Sequence, residues 1–314
     1  MKNPLTKKHN TQFYFFSGKG GVGKTSCAAA AALNFSKSKK TLVVSVDPAH
    51  SLGDSFDVKI GGEIKKLGKN LFGVEIDPAK SVEEYKEKFS LKIENMSYLK
   101  GFGLEETFDI VGTTPGIDEI AAFDKFLKYM QSKEYDVIIF DTAPTGHALR
   151  FLSLPSVLDS WVGKLIKMRM KIAAVTGIIK KILPFGEKDQ GENFGAKELE
   201  GMKTRIEDAK KLLSDPSKTH FNLVLIPEAM SILESERSLK ALAEYNIPVE
   251  SVIVNQLIPQ NSSCRFCQDR RKQQTKRLLE IKKVFSTIKV KELQQFNEEV
   301  RGFGMLEKVA KKLY

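Results

Sequence analysis

An α/β fold built on a doubly wound, mostly parallel sheet, with an α-helical subdomain inserted into it, is what the sequence predicts. Three observations carry this. Short apolar runs rich in β-branched and aromatic residues recur along the chain and alternate with stretches of helical composition. Those runs are apolar on both faces, as strands covered by helices on two sides must be. Two segments, approximately 81–133 and 156–213, lack strand signals and have room for several helices.

In chain order, Phe13-Tyr14-Phe15-Phe16 reads as the first strand and the alanine-rich stretch Cys27 to Leu33 as the first helix. Thr41 to Val46 is a continuous apolar run that suits a buried strand. It delivers Asp47-Pro48-Ala49-His50-Ser51 to its C-terminal end, where an open α/β sheet places its ligand chemistry. Leu71 to Pro78 is the third candidate strand, followed by a charged helical stretch from Ser81 to about Leu99. Residues 100–115, with Gly101, Gly103 and Gly112, read as a loop or a pair of short helices. Ile117 to Lys133 returns to helix, and Asp136 to Phe140 is a strand that ends at Asp141-Thr142-Ala143-Pro144-Thr145-Gly146-His147. Ser156 to Leu213 reads as helices joined by a turn at Pro184-Phe185-Gly186. Strands follow at Phe221 to Ile226 and Val252 to Val254, then a basic helix and a short strand at Thr287 to Val290. Residues 1–314 form one domain, with the helical subdomain drawn from the two insertions.

With 314 residues and 41% hydrophobic content the chain can bury a substantial core. Its strongly apolar stretches fall well short of a membrane span, and Met1 to Thr11 is polar and basic without an apolar signal core, so a cytoplasmic location is expected. A net charge of +11 raises the question of nucleic acid, but 39 acidic residues are interspersed among 50 basic ones, and no nucleic-acid partner is expected. Three cysteines are too few for a disulfide framework.

Gly18-Lys19-Gly20-Gly21-Val22-Gly23-Lys24-Thr25 satisfies the phosphate-loop pattern G-x-x-x-x-G-K-[ST] between a strand and a helix, the arrangement of the P-loop NTPases. Its glycines let the backbone turn tightly, so that N–H groups from Gly18 through Ser26 can close around phosphate oxygens at the helix N-terminus. Lys24 is expected to reach the β- and γ-phosphates of ATP, and the Thr25 hydroxyl to ligate Mg²⁺. Lys19 is a second lysine inside the loop, with two readings: a solvated charge, or a cation presented to the phosphate held by a partner subunit. The second predicts a homodimer with composite sites.

Hydrolysis also needs a residue that orients water in line with the γ-phosphate. Asp47 and Asp141 both stand at strand ends. Asp141, inside Asp-Thr-Ala-Pro, is the better partner for Mg²⁺ through water, which leaves Asp47 to position the attacking water. Either could instead cap a helix or turn. For His50 and His147 a structural role is at least as good a reading as a catalytic one.

Cys264-Arg265-Phe266-Cys267 supplies two of the four ligands that structural Zn²⁺ takes, and no histidine nearby completes the set. A two-fold dimer would complete it with one pair from each subunit. A redox dithiol is the competing reading.

Taken together, the phosphate loop, Asp47-Pro48-Ala49-His50-Ser51, the segment Asp141 to His147, Asn255-Gln256-Leu257 and Cys264-x-x-Cys267 resemble the dimeric ATPases of the arsenite-pump type, most of all the branch that targets tail-anchored membrane proteins. The resemblance runs over nearly the whole chain. It implies that Lys19 serves the partner's phosphates, that Asp47 activates water, and that Asp141 belongs to a metal-sensing switch. It further implies that Asn255 recognises adenine, that Glu228 contacts nucleotide near the dimer interface, that Arg301 lies in the loop around the base, and that Cys264 and Cys267 share Zn²⁺ between subunits. Leu293 to Asn297 replaces the proline-rich approach usual before that loop.

Within that family, two functions are separable. Arsenite binding needs soft thiolates in the helical region, yet no cysteine lies between Cys27 and Cys264, and the chain has one phosphate loop where a pump enzyme usually carries two. Targeting needs an apolar groove for a transmembrane helix. Trp161, Leu165, Met168, Ile172, Val175, Ile179 and Ile182 recur at spacings of four and three, one apolar helical stripe. That stripe is either a groove wall or the packing face of the helical layer. The expected function is an ATP-hydrolysing homodimer that binds hydrophobic transmembrane segments for delivery to a membrane, with a receptor there possible; an arsenite or anion pump ATPase is the alternative.

Overall fold

The computed structural model describes residues 11–47, 51–77, 80–81, 83–84, 117–142, 196–260 and 264–314. Eight strands form one sheet: β1 (Gln12–Ser17), β2 (Thr41–Ser45), β3 (Lys65–Lys66), β4 (Leu71–Glu75), β5 (Val137–Asp141), β6 (Thr219–Leu225), β7 (Val249–Leu257) and β8 (Lys289–Gln294). Their order is β3-β4-β2-β5-β1-β6-β7-β8, with every pairing parallel except β3 with β4. The order reverses beside β1, so the loop that leaves β1 opens at the switch point of the sheet.

The strands form where the sequence offers β-branched and aromatic residues without polar alternation. All five residues of β2 and all five of β5 are buried. Successive side chains point to opposite faces. Phe13 and Phe15 enter one core cluster, and Phe15 stacks between Phe140 and Phe221 at ring separations of 5.0 and 5.6 Å. Phe16 enters the other cluster, with Val43, Ile139 and Val224. The outer strand β8 differs: Lys289 is exposed and Leu293 alone is fully buried, a charged edge that discourages pairing with another chain.

Helix α1 (Lys24–Phe35) lies on the second face, with Ala28 to Ala32 completely buried. Side chains this small let the helix backbone approach the sheet closely, and α2 (Ser51–Phe56) and α7 (Gly302–Leu313) pack beside it. Helices α3 (Ile117–Met130) and α4 (Ala196–Leu213) come one from each insertion. They place Phe126, Leu127, Met130, Ala209 and Leu213 in one cluster with Phe13 and Phe221, and Arg205 pairs with Asp124 at 2.6 Å. Helices α5 (Ala229–Glu244) and α6 (Arg265–Val284) complete the set among the described residues.

The sequence reading and the structure differ at element ends. Strand β4 stops at Glu75, short of Pro78. Residues Thr287 and Ile288 belong to the turn after α6, where the Ile288 N–H donates to the Phe285 carbonyl, and β8 starts two residues later than predicted, in parallel register with β7. Strand β3 was not predicted: two lysines have no strand pattern, and pairing with β4 alone makes them extended. Helices α2, α5 and α7 likewise lie outside the predicted elements.

Candidate nucleotide site

The C-terminal ends of β1, β2 and β5 converge. Register pairs Phe16 and Ser45 with Asp141 from either side, so three strand ends stand level. From β1 the chain turns through the glycine loop into α1. Gly23 is the N-cap of α1 at φ 92°, in the left-handed region, and a Cβ there would lie 2.4 Å from Asn255 Nδ2. At Gly18 a Cβ would lie 2.0 Å from the carbonyl oxygen of Val224. Both positions therefore require glycine, and no side chain caps the first N–H groups of α1.

Lys24 is buried, and its ammonium donates to the carbonyl of Lys19 at 3.2 Å. Burial pulls its pKa down, while Asp141 and Asp47 push it back up. Asp141 is fully buried; its Oδ2 accepts from the Ser45 hydroxyl at 3.4 Å, and its Oδ1 has no protein partner among the described residues. Burial pushes the Asp141 carboxyl up to about 7 against the pull of the Thr25 hydroxyl and Lys24. An orphaned buried carboxylate oxygen is costly by itself, on the order of 1–3 kcal/mol, and it fits a site that a hydrated cation completes. Thr25 Oγ1 lies 3.1 Å from Ser51 Oγ, and the Asp47 N–H donates to Ser45 Oγ at 3.3 Å. Lys24, Thr25, Asp47 and Asp141 thus share one pocket of charge. The residues present fit a nucleoside triphosphate on the loop and Mg²⁺ beside Thr25 and Asp141.

Asn255 comes to the site through the loop itself. Its Nδ2 donates to Val22 O at 2.8 Å, and Gln256 Nε2 donates to Gly21 O at 3.2 Å. Other expected residues are held elsewhere. Lys19 lies 3.7 Å from Glu234 of α5; Glu228 pairs with Arg270 of α6 at 3.5 Å; Arg301 pairs with Asp57 at 2.7 Å. Cys264 is exposed at the N-terminus of α6, and hydrogen bonds from the Cys267 backbone and thiol hold its own thiol below the ordinary range. Among the described residues no cluster of three or more His, Cys, Asp or Glu side chains is placed to hold a metal. His50, His147 and the stripe Trp161, Leu165, Met168, Ile172, Val175, Ile179 and Ile182 lie outside the described residues.

Sequence reasoning missed Ser45 and Glu234, and it quoted Ser51 and Gln256 within motifs without giving either a contact. For Ser45 a signal exists: it is the one polar residue inside the run Leu42 to Val46, two positions before Asp47. The others reach the loop only through tertiary placement: Ser51 from α2, Glu234 from α5 and Gln256 from the end of β7.

A glycine loop between a parallel strand and a helix N-terminus, with a buried lysine and an orphaned aspartate across from it, defines a phosphate-loop nucleotide hydrolase. The comparisons with known proteins agree. The family model for the anion-transporting ATPases matches residues 11–314. The chain is 39% identical to the ATPase GET3C of Arabidopsis thaliana, over 97% of this chain and 83% of that one, and 36% identical to the ATPase get3 of Schizosaccharomyces pombe, over 98% and 93%. It is also 36% identical to the ATPase ARSA1 of Chlamydomonas reinhardtii, over 85% of this chain and 37% of that longer one. The chain belongs to the anion-transporting ATPase family, on its GET3 branch, and it is an ATPase.

Proposed function

We propose that this ATPase is a homodimeric targeting factor that binds hydrophobic transmembrane segments and passes them to a membrane under the control of its nucleotide. The observation that carries the reading is the match to GET3-named ATPases along nearly the full length of both chains, joined to an intact phosphate-loop site. The chain's own residues divide the work. N–H groups of the loop and of the first turn of α1, through Ser26, bind phosphate oxygens, and the Lys24 ammonium exchanges the Lys19 carbonyl for them. Asp47 orients the attacking water. Thr25 and Asp141 would hold Mg²⁺, which when bound neutralises charge on the phosphate oxygens. Lys19 leaves Glu234 to reach the partner's nucleotide, and Asn255, Glu228 and Arg301 exchange their present partners for the nucleotide as the dimer closes.

Cys264 and Cys267 would supply two ligands to a structural Zn²⁺, and the same pair from a second copy of the chain would supply the other two. The client groove is the stripe from Trp161 to Ile182, within the helical subdomain of 81–133 and 156–213 inside the single domain 1–314. In this reading the protein works in the cytoplasm. No helix among the described residues is long and apolar enough to cross a membrane.

The family's name and the resemblance to ARSA1 favour a second reading, an ATPase that drives an arsenite or anion pump. One experiment separates the two: capture of a synthetic transmembrane peptide in ATP, ADP and no nucleotide, alongside ATPase rates with arsenite. Capture that depends on nucleotide, without arsenite stimulation, is the expected result. Arsenite stimulation without capture overturns the targeting reading.

A further inference from the structure

A line of hydrogen bonds runs from the phosphate loop to the helix that carries the cysteine pair. It begins at the loop's own carbonyls, with Asn255 Nδ2 on Val22 O at 2.8 Å and Gln256 Nε2 on Gly21 O at 3.2 Å. Gln256 is held in place for this: its φ is 59°, a conformation rare for a residue with a long side chain, and its N–H donates to Asn255 Oδ1 at 2.8 Å. The next link is buried Gln274 of α6. Its Nε2 donates to Gln256 O at 3.1 Å and its Oε1 accepts from Ile258 N–H at 2.8 Å, so one amide brackets the end of β7. Arg271 adds a bond to Ile258 O at 2.5 Å. Cys267, Arg271 and Gln274 follow at spacings of four and three, which puts them on one face of α6, the face toward the sheet.

We propose that Gln256 and Gln274 are positioning residues of a relay, through which nucleotide in the phosphate loop is read at Cys264 and Cys267, and metal or chemistry at the cysteines is read in the loop. The physical basis is a bistable connection. When nucleotide engages the loop, the bonds that Asn255 makes to Val22 and Gln256 makes to Gly21 must adjust. A strained residue at the end of a strand, clamped from the other side by a bidentate amide, transmits that adjustment as a shift of α6. Linkage makes the coupling reciprocal: whatever factor nucleotide applies to the cysteines, the cysteines apply to nucleotide affinity. The inference rests on nucleotide binding at the loop but not on zinc or on client binding.

The test uses the reduced full chain, desalted from chelator, with MgADP as the nucleotide and a chromogenic disulfide reagent as the thiol probe. Cys27 is fully buried and burial pushes its thiol up to about 12, so the signal comes from Cys264 and Cys267. In the wild type MgADP changes the reaction rate by about fivefold, the lower end of typical couplings. Gln274→Met keeps the side chain's size and removes both bonds, and there the ratio of rates with and without MgADP falls to near one. Gln256→Asn tolerates the positive φ but cannot span to Gly21 O; it gives the same loss, and combining the two adds nothing further, as links in series require. Direct calorimetry sets an MgADP concentration that saturates each protein, so that a weaker affinity in a variant does not read as a lost ratio. A wild-type ratio of one with MgADP bound, or an unchanged ratio in both variants, overturns the relay; absence of MgADP binding in the wild type would instead overturn the nucleotide site.

Discussion

In the proposed mechanism Asp141 holds Mg²⁺, and its setting has a cost. Its carboxyl is fully buried, pushed up to about 7, and leaves Oδ1 without a partner, so the folded protein gives up stability to hold it there. Asp141→Asn removes the ionisable group at constant size. The expected outcome is a thermal midpoint equal to or above wild type without nucleotide, roughly 1–2 kcal/mol in favour of the variant, together with a loss of Mg²⁺-dependent turnover of about a hundredfold or more. Calorimetry and a phosphate-release assay check the two halves. Gly23→Ala goes the other way on stability: it forces φ 92° on a side chain whose Cβ meets Asn255, so stability falls by roughly 1–3 kcal/mol in urea unfolding, and nucleotide affinity falls with it. The phosphate loop was legible in the sequence because its eight residues are contiguous. The setting of Asp141 was not, because Ser45 and Thr25 reach it through strand register and helix packing, and nothing in sequence spacing records that Ser45 stands level with a residue 96 positions later.

Among the elements, α1 is the one with least room. Five alanines at complete burial leave no space for a larger side chain, so Ala30→Leu is expected to cost about 1–3 kcal/mol by overpacking, read as a lower urea midpoint with an unchanged slope. On the same face of the sheet, His220 of β6 stacks on Tyr14 of β1 and lies 3.0 Å from Glu250 of β7. The hydrogen bond from His220 holds the Glu250 carboxyl below the ordinary glutamate range. A carboxylate with a depressed folded pKa stabilises above its unfolded pKa, and that contribution is lost as pH falls through the folded value. Because Glu250 is about half exposed, solvent screening keeps the effect to a few tenths of a kcal/mol. Glu250→Gln should therefore lower stability by about that small amount near neutrality, and the difference from wild type should vanish as pH falls through and below the folded pKa, so that the acid limb of a stability–pH curve is slightly flatter. Strands β1, β2, β5, β6 and β7 were legible because they are buried on both faces. Strand β3 and the exact start of β8 were not, because edge strands need no apolar pattern and take their conformation from the neighbour they pair with.

At the scale of the whole molecule, several charged residues expected at the nucleotide are paired within the chain: Lys19 with Glu234, Glu228 with Arg270, Arg301 with Asp57. All three pairs are partly exposed and cheap to exchange, as pairs that give way on assembly should be. If Zn²⁺ joins two copies at Cys264 and Cys267, a chelator or the change of both cysteines to serine shifts sedimentation from dimer toward monomer, and ATP turnover per chain becomes dependent on protein concentration. The most direct measurement is the release of a fluorescent transmembrane peptide captured in the presence of ATP, followed in the wild type and in Asp47→Asn. ATP-gated handling of a membrane segment requires the wild type to capture the peptide and release it as ATP turns over, while Asp47→Asn captures it and holds it. Equal release by both proteins, or no capture by either, contradicts a targeting ATPase.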